Sequence, residues 1–148
     1  MNIALDTNVL AYAEGIDDPL RRDAALETIM RLPQDRIVLP VQVLGELYNA
    51  LLRKGSCTRA QARDRLLRWS RAYPVLDTTE SGMGMAADLS AEHNLQIWDA
   101  VILCASSQAG CRLLLSDDMQ DGFAWGGVTV VNPFAARPHP LLAALLKR

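Results

Sequence analysis

The chain has 148 residues, enough for one domain with a real hydrophobic core. Apolar residues make up 50% and charged residues 22%, the balance of a globular protein rather than a disordered or fibrous one. With 15 basic against 17 acidic residues the formal net charge is −2, so no global positive field draws in nucleic acid and any such contact needs a local patch.

Short apolar strands alternate with helical stretches, the pattern of an α/β protein with a parallel sheet. The first strand is Ile3–Asp6. Asp18 followed by Pro19 reads as an N-cap and first helical residue, opening a helix toward Arg31. A second strand at Arg36–Leu39 leads into a helix that starts with Pro40 and stops at Gly55. Thr58 with Gln61 fits a capping box, and Ala62, Leu66, Trp69 and Tyr73 then form an apolar stripe read as core. A third strand is expected at Val75–Asp77 and a helix from about Thr79 to His93, weakened by Gly82 and Gly84. Another helix runs from about Trp98 to Ala109, ended by Gly110. Leu113–Ser116 and Val128–Val131 complete five strands, mostly continuous apolar runs suited to a sheet covered on both faces. Beyond Pro133, Pro138 and Pro140, the apolar Leu141–Leu146 reads equally well as a short docked helix or as a partner-binding segment.

Cys57, Cys104 and Cys111 are odd in number and lack C-x-x-C spacing, which argues against a disulfide scaffold or zinc site and suits a reducing cytosol. Cys104 and Cys111 read as apolar filler on one helix. The chain opens straight into an apolar strand without a basic leader, and no apolar run reaches the roughly 18 residues of a membrane span. A cytoplasmic protein without membrane association is the expectation.

The chemistry is concentrated in acids. Asp6 ends the first strand, where open α/β sheets bind ligands, although Asp6-Thr7-Asn8 would also cap a helix at Val9-Leu10. Glu46 lies inside a helix on a polar stripe with Gln42, Asn49 and Arg53, which alone suits a solvated face. Gly45 beside it suggests close approach of a backbone or ligand. Asp99 interrupts an apolar run and is either an N-cap or a desolvated functional acid. Asp117 and Asp118 follow the Leu-rich strand; they suit a polar turn, and two adjacent acids do not both point one way. Together, these acids meeting at one sheet edge would repel until a cation entered, and an oxygen-only set favours Mg²⁺ or Mn²⁺ over zinc.

Asp6-Thr7-Asn8-Val9-Leu10, Glu46-Leu47 ahead of Arg53-Lys54-Gly55, Asp99-Ala100 and Ser116-Asp117-Asp118, in this order, resemble the PIN domain family, and within it the VapC-like toxins of toxin–antitoxin pairs. The resemblance implies a three-layer α/β/α sandwich with a central parallel sheet of about five strands, with residues 1–134 as nuclease domain and 135–148 as a tail. It implies a metal-dependent endoribonuclease whose Mg²⁺ or Mn²⁺ is held by Asp6, Glu46, Asp99 and Asp118. Ser116 would be the hydroxyl companion of Asp118, Thr7 and Asn8 would orient the carboxylates, and Asp117 takes the variable middle position as the alternative fourth acid. RNA is the implied substrate, a small antitoxin the implied partner and a homodimer the implied assembly.

Arg53, Lys54, Arg59, Arg63, Arg65, Arg68 and Arg71 face only Asp64 in their stretch, which suits either a backbone-tracking patch for RNA or solubilising helix faces. Asn8 stands where a phosphatase of the haloacid dehalogenase type needs a second Asp. A non-catalytic PIN-like module binding RNA or protein is the alternative from a different class.

Overall fold

The computed structural model describes residues 1–146. The sheet has six strands in the order β3-β2-β1-β4-β6-β5, where β1 is Asn2–Leu5, β2 Ile37–Pro40, β3 Val75–Leu76, β4 Cys111–Leu115, β5 Ala124–Trp125 and β6 Val128–Val131. The first five in that order are mutually parallel, and β5 runs antiparallel to β6 at the edge. β5 is one strand more than the sequence suggested. It forms a two-residue hairpin through Gly126 and Gly127, whose φ of 58° and 82° only glycine adopts readily. That Gly-Gly pair is a hairpin signal in its own right.

Among the described residues, seven α-helices flank the sheet: α1 Thr7–Ala13, α2 Pro19–Arg31, α3 Val41–Arg53, α4 Arg59–Ala72, α5 Glu80–His93, α6 Ile97–Gln108 and α7 Pro140–Leu146. The central strands are buried at successive positions, which requires helices over both faces of the pleat and gives the three-layer α/β/α sandwich. Local chemistry sets the helix starts. Asp18 accepts from Leu20 N–H with Pro19 in the first turn, and Thr58 and Gln61 make both bonds of the capping box. Thr79 caps α5, which ends on Asn94 in the left-handed region. Ala62 is buried, and Leu66, Trp69 and Tyr73 pack half-buried against the core.

Several expectations shift. Pro40 is the residue before α3 rather than its first. Cys111 opens β4 after Gly110 instead of continuing the helix of Cys104, although both thiols are buried as expected. Gly45 has open space around it: a Cβ there would meet nothing within 4 Å, so no close approach explains it. The apolar end of the chain folds as α7 and docks on α2, burying Leu142 and Leu145. No helix among the described residues is long and apolar enough to cross a membrane.

The chain moves outward from β1 to β2 and β3, then returns to the other side of β1 for β4 and β6. The strand order therefore reverses between β1 and β4. At such a switch point the two following connections diverge and leave a crevice beyond the strand ends. Asp6 follows β1 there, and Ser116-Asp117-Asp118 follows β4.

Candidate metal centre at the switch point

Asp6 is held by the ladder it terminates. Its N–H donates to the carbonyl of Leu115 at 2.9 Å, carrying the β1–β4 pairing one residue past Leu5, while Ser116 N–H donates to Val131. Asp6 and Ser116 therefore emerge side by side, and Ser116 Oγ donates to Asp6 Oδ2 at 2.7 Å. Asp6 also caps α1, accepting from Thr7 N–H at 2.7 Å. Capping and site formation are thus the same placement, not rivals.

Asp6 is 2% exposed. Burial is the main reason its carboxyl is pushed up to about 7; Ser116 and Thr7 N–H act against this, and the charges of Asp99 and Asp118 add to it. Asp99 is also pushed above the ordinary carboxylate range, by burial and then by Glu46 and Asp118. The four acids thus feel one another across the crevice, although they lie far apart in sequence. Asp99 is the third residue of α6, not its cap; Gln96 caps that helix by accepting from Trp98 and Asp99 N–H groups. The capping reading of Asp99 is therefore excluded, and its carboxylate is left without that duty.

Three small polar residues position the acids. Thr7 Oγ1 donates to Glu46 Oε2 at 2.6 Å, and Gln42 donates to Glu46 Oε1 at 3.2 Å from one turn earlier on α3. Asn8 shares its amide hydrogens among Asp6 Oδ2, Ser116 Oγ and Asp118 Oδ2 at 3.1–3.3 Å, and its Oδ1 accepts from Asp117 N–H. Ser116 Oγ accepts from the N–H groups of Asp118 and Met119, closing the loop that carries the acids.

The adjacent acids divide cleanly. Asp117 turns away: its Oδ2 takes Arg21 Nη1 at 2.6 Å and the Tyr12 hydroxyl at 3.0 Å. Arg21 lies over the rings of Tyr12 and Phe134, at 5.3 and 5.2 Å from their centroids, and those rings meet edge to face. Asp118 stays exposed at the crevice and bonds only inward, to Asn8 and Ser116. Arg21 and Tyr12 carry no sequence signal for this work, since each meets Asp117 only after folding closes a long stretch of chain. Gln42 was legible as part of the Glu46 stripe, being one helical turn away.

Among the described residues, no Lys or Arg pairs with Asp6, Glu46, Asp99 or Asp118. Nor do three acidic, His or Cys side chains close into a metal-ligating group there. Asp6 feels the charges of Asp99 and Asp118, and Asp99 those of Glu46 and Asp118. The donor chemistry is oxygen only, with carboxylates in excess and one of them buried, which suits a hard divalent cation. Of the remaining cations expected near RNA, Arg53 and Lys54 line the same groove as Glu46 and Asp118, whereas Arg65 leans on Glu14 and Arg63 on Asp64.

The chain is 31% identical over 121 residues to Ribonuclease VapC7 of Mycobacterium tuberculosis, covering 78% of this chain and 81% of that protein. The fold matches that of Mycobacterium tuberculosis VapC20, a sarcin-ricin loop cleaving toxin, with TM-score 0.65 at 20% identity over 76% of this chain and 87% of that one. It also matches a toxin–antitoxin complex from Klebsiella pneumoniae, with TM-score 0.69 at 16% identity over 90% and 98% of the two chains. The profile of the PIN domain covers residues 3–125, from β1 through β5 and across every acid of the crevice, and the chain belongs to the PIN domain family.

Proposed function

We propose that this protein is a Mg²⁺- or Mn²⁺-dependent endoribonuclease and the toxin of a toxin–antitoxin pair. One observation carries the reading: four carboxylates share the crevice at the switch point, none is neutralised by a Lys or Arg among the described residues, and Asp6 is buried there at net electrostatic cost. A divalent cation removes that cost. Its family relative named as a ribonuclease supports RNA as the substrate, and the Klebsiella pneumoniae relative, solved as a toxin–antitoxin complex, supports a small protein partner. A homodimer working in the cytoplasm completes the proposal.

Asp6 and Asp99 would be the principal ligands, with Glu46 and Asp118 beside them. A cation held there supplies Lewis acidity, lowering the pKa of water and offsetting charge that develops on the scissile phosphate. The protein's own groups do the rest. Thr7 and Gln42 fix the Glu46 carboxylate, while Asn8 and Ser116 hold Asp6 and Asp118 at a set separation. These bonds fix the orientation of the ligands and spare reorganisation on binding. Asp117, committed to Arg21 and Tyr12, anchors the loop instead of serving as a ligand.

The test is RNA cleavage with Mg²⁺, with Mn²⁺ and with EDTA, comparing the native protein with Asp99→Asn. Cleavage that needs the metal and is lost in the variant is the expected result. Absence of metal-dependent cleavage in the native protein would favour a non-catalytic binding module. Metal-dependent cleavage that survives in Asp99→Asn would remove Asp99 from the ligand set.

A further inference from the structure

A groove of about 370 Å³ opens from the acidic crevice and runs between α1 and α3. Its near end holds Thr7, Asn8, Glu46 and Asp118, and its far end Arg53 and Lys54. Glu46, Asn49, Ala50 and Arg53 recur at steps of three, one and three along α3, so they form one wall. Seven residues of helix separate Glu46 from Arg53, a rise of about 10 Å. Arg53 and Lys54 are exposed and enter no ion pair among the described residues. Asp17, the groove's remaining acid, pairs with neither. The Asn49 amide is exposed on the wall between the two ends and makes no side-chain hydrogen bond among the described residues.

A polyanion meets a difficulty at this protein. The net charge is −2 and the crevice itself is acidic, so the field opposes a phosphodiester that approaches it. Two unpaired cations in the same groove, set two helical turns from the acids, supply a local attraction without neutralising the carboxylates. Their position at the C-terminal end of α3 also suits the helix dipole, but the dipole needs no groove and no connection to the acids.

We propose that this groove is the subsite for the nucleotide next to the bond being cut: Arg53 and Lys54 take the neighbouring phosphate of a single-stranded RNA, and Asn49 contacts the nucleotide between. The proposal rests on the ribonuclease reading for its substrate, but its binding test does not need cleavage. Arg53 and Lys54 act as backbone contacts, which position a strand without reading its sequence, and Asn49 is the one wall residue with free donors and an acceptor for a base edge.

The experiment measures binding of a fluorescent, mixed-sequence single-stranded oligoribonucleotide in EDTA as salt is varied. Native protein is compared with Arg53→Ala/Lys54→Ala and with Arg36→Ala/Arg112→Ala, two exposed cations at the opposite edge of the sheet. Each single-strand phosphate contact contributes about 0.7 to the slope of log affinity against log salt, so loss of the one phosphate held by the groove pair should lower that slope by about 0.7, and the control pair should leave it unchanged. Asn49→Ala should weaken binding with the slope intact. In Mn²⁺, the Arg53/Lys54 variant should lose cleavage through KM while its Mn²⁺ affinity stays at the native value. An unchanged slope in the groove variant, or an equal loss in the control, overturns the subsite. So does a groove variant that binds RNA normally but loses a poly-glutamate peptide, which would assign these cations to an acidic protein partner. A native protein that never cleaves RNA but shows the slope change would sink the nuclease reading, keep the phosphate contact of Arg53 and Lys54, and overturn its assignment beside a cut bond.

Discussion

Asp6→Asn should stabilise the metal-free protein at pH 8 while destroying its cleavage. The Asp6 carboxyl moves from an ordinary 3.8 to about 7 in the folded state. The folded form therefore holds this proton more tightly than the unfolded chain, so stability is full below pH 3.8, falls as pH rises and levels off above about 7. Ionising Asp6 in the fold then costs about 4 kcal/mol, at about 1.4 kcal/mol per tenfold change. Asparagine abolishes that cost but not for free. One of its two polar atoms can still accept from Thr7 N–H, whereas its NH₂ then faces Ser116 Oγ and the Asn8 amide, where Asp6 accepted two bonds. Losing those acceptances costs about 1–3 kcal/mol. The net gain at pH 8 is about 1–3 kcal/mol, or roughly 2–10 °C in Tm for a domain of this size. At pH 5 the gain should shrink or reverse. Asp99 and Asp117 are also pushed upward, but both proteins carry them, so the difference isolates Asp6. Thermal melts in EDTA at the two pH values measure it, and added Mn²⁺ should raise the Tm of the native protein at pH 8 but not that of the variant. A Tm difference that is the same at pH 5 and pH 8 would refute the electrostatic reasoning.

The neighbouring pair of acids separates stability from metal binding. Asp118→Asn should lose most Mn²⁺ affinity, read by titration calorimetry, with a Tm near native, because Asp118 is exposed and lightly bonded. Asp117→Asn should do the opposite, retaining Mn²⁺ affinity but melting earlier by about 1–2 kcal/mol as its charge-assisted bonds weaken. Arg21→Ala should cost about 2 kcal/mol in a denaturant melt, since it leaves a mostly buried Asp117 with only the Tyr12 hydroxyl; the exposure of Arg21, 41% of its side chain, keeps the loss below that of a fully buried pair. A melt unchanged by Arg21→Ala would show that the Asp117 contact does not anchor the loop.

Asp6, Asp99 and the Asp117–Asp118 pair were legible because each carries a local signature, whereas Glu46 sits on a polar stripe that suits a solvated face. Asp6 and Ser116 stand where apolar strands stop, and Asp99 where an apolar helix begins, so the sheet brings them to one edge. Cap chemistry located α2 and α4, at Asp18 and Thr58. What sequence could not reveal was long-range partnership. The resemblance favoured Asp118 and kept Asp117 as the alternative, but no local chemistry separates the two; the arrival of Arg21 on α2 shows what holds Asp117. The start of α6 near Trp98 holds to within a residue, but its cap was missed because Gln96 caps through its amide oxygen, a role less expected of Gln than of Asp. Gly45 was misleading because a helical glycine has several causes, and close approach is not the one here. The short β5 was missed because two residues show no periodicity, although its turn was written in Gly126-Gly127.

The ring of Phe134 lies nine residues past the end of the stretch that matches the PIN domain profile, yet it forms one side of the sandwich around Arg21. The Arg21 guanidinium is in turn what grips Asp117. Mechanical support for the loop that carries Asp117 and Asp118 thus comes partly from outside the matched stretch. An expression clone cut at the profile boundary would keep every acid but lose the buried strand β6 that pairs with β4 as well as this brace, so a weakly active truncation would say little about the acids themselves. Tags and fusions are better placed after α7, where the chain has already closed over α2.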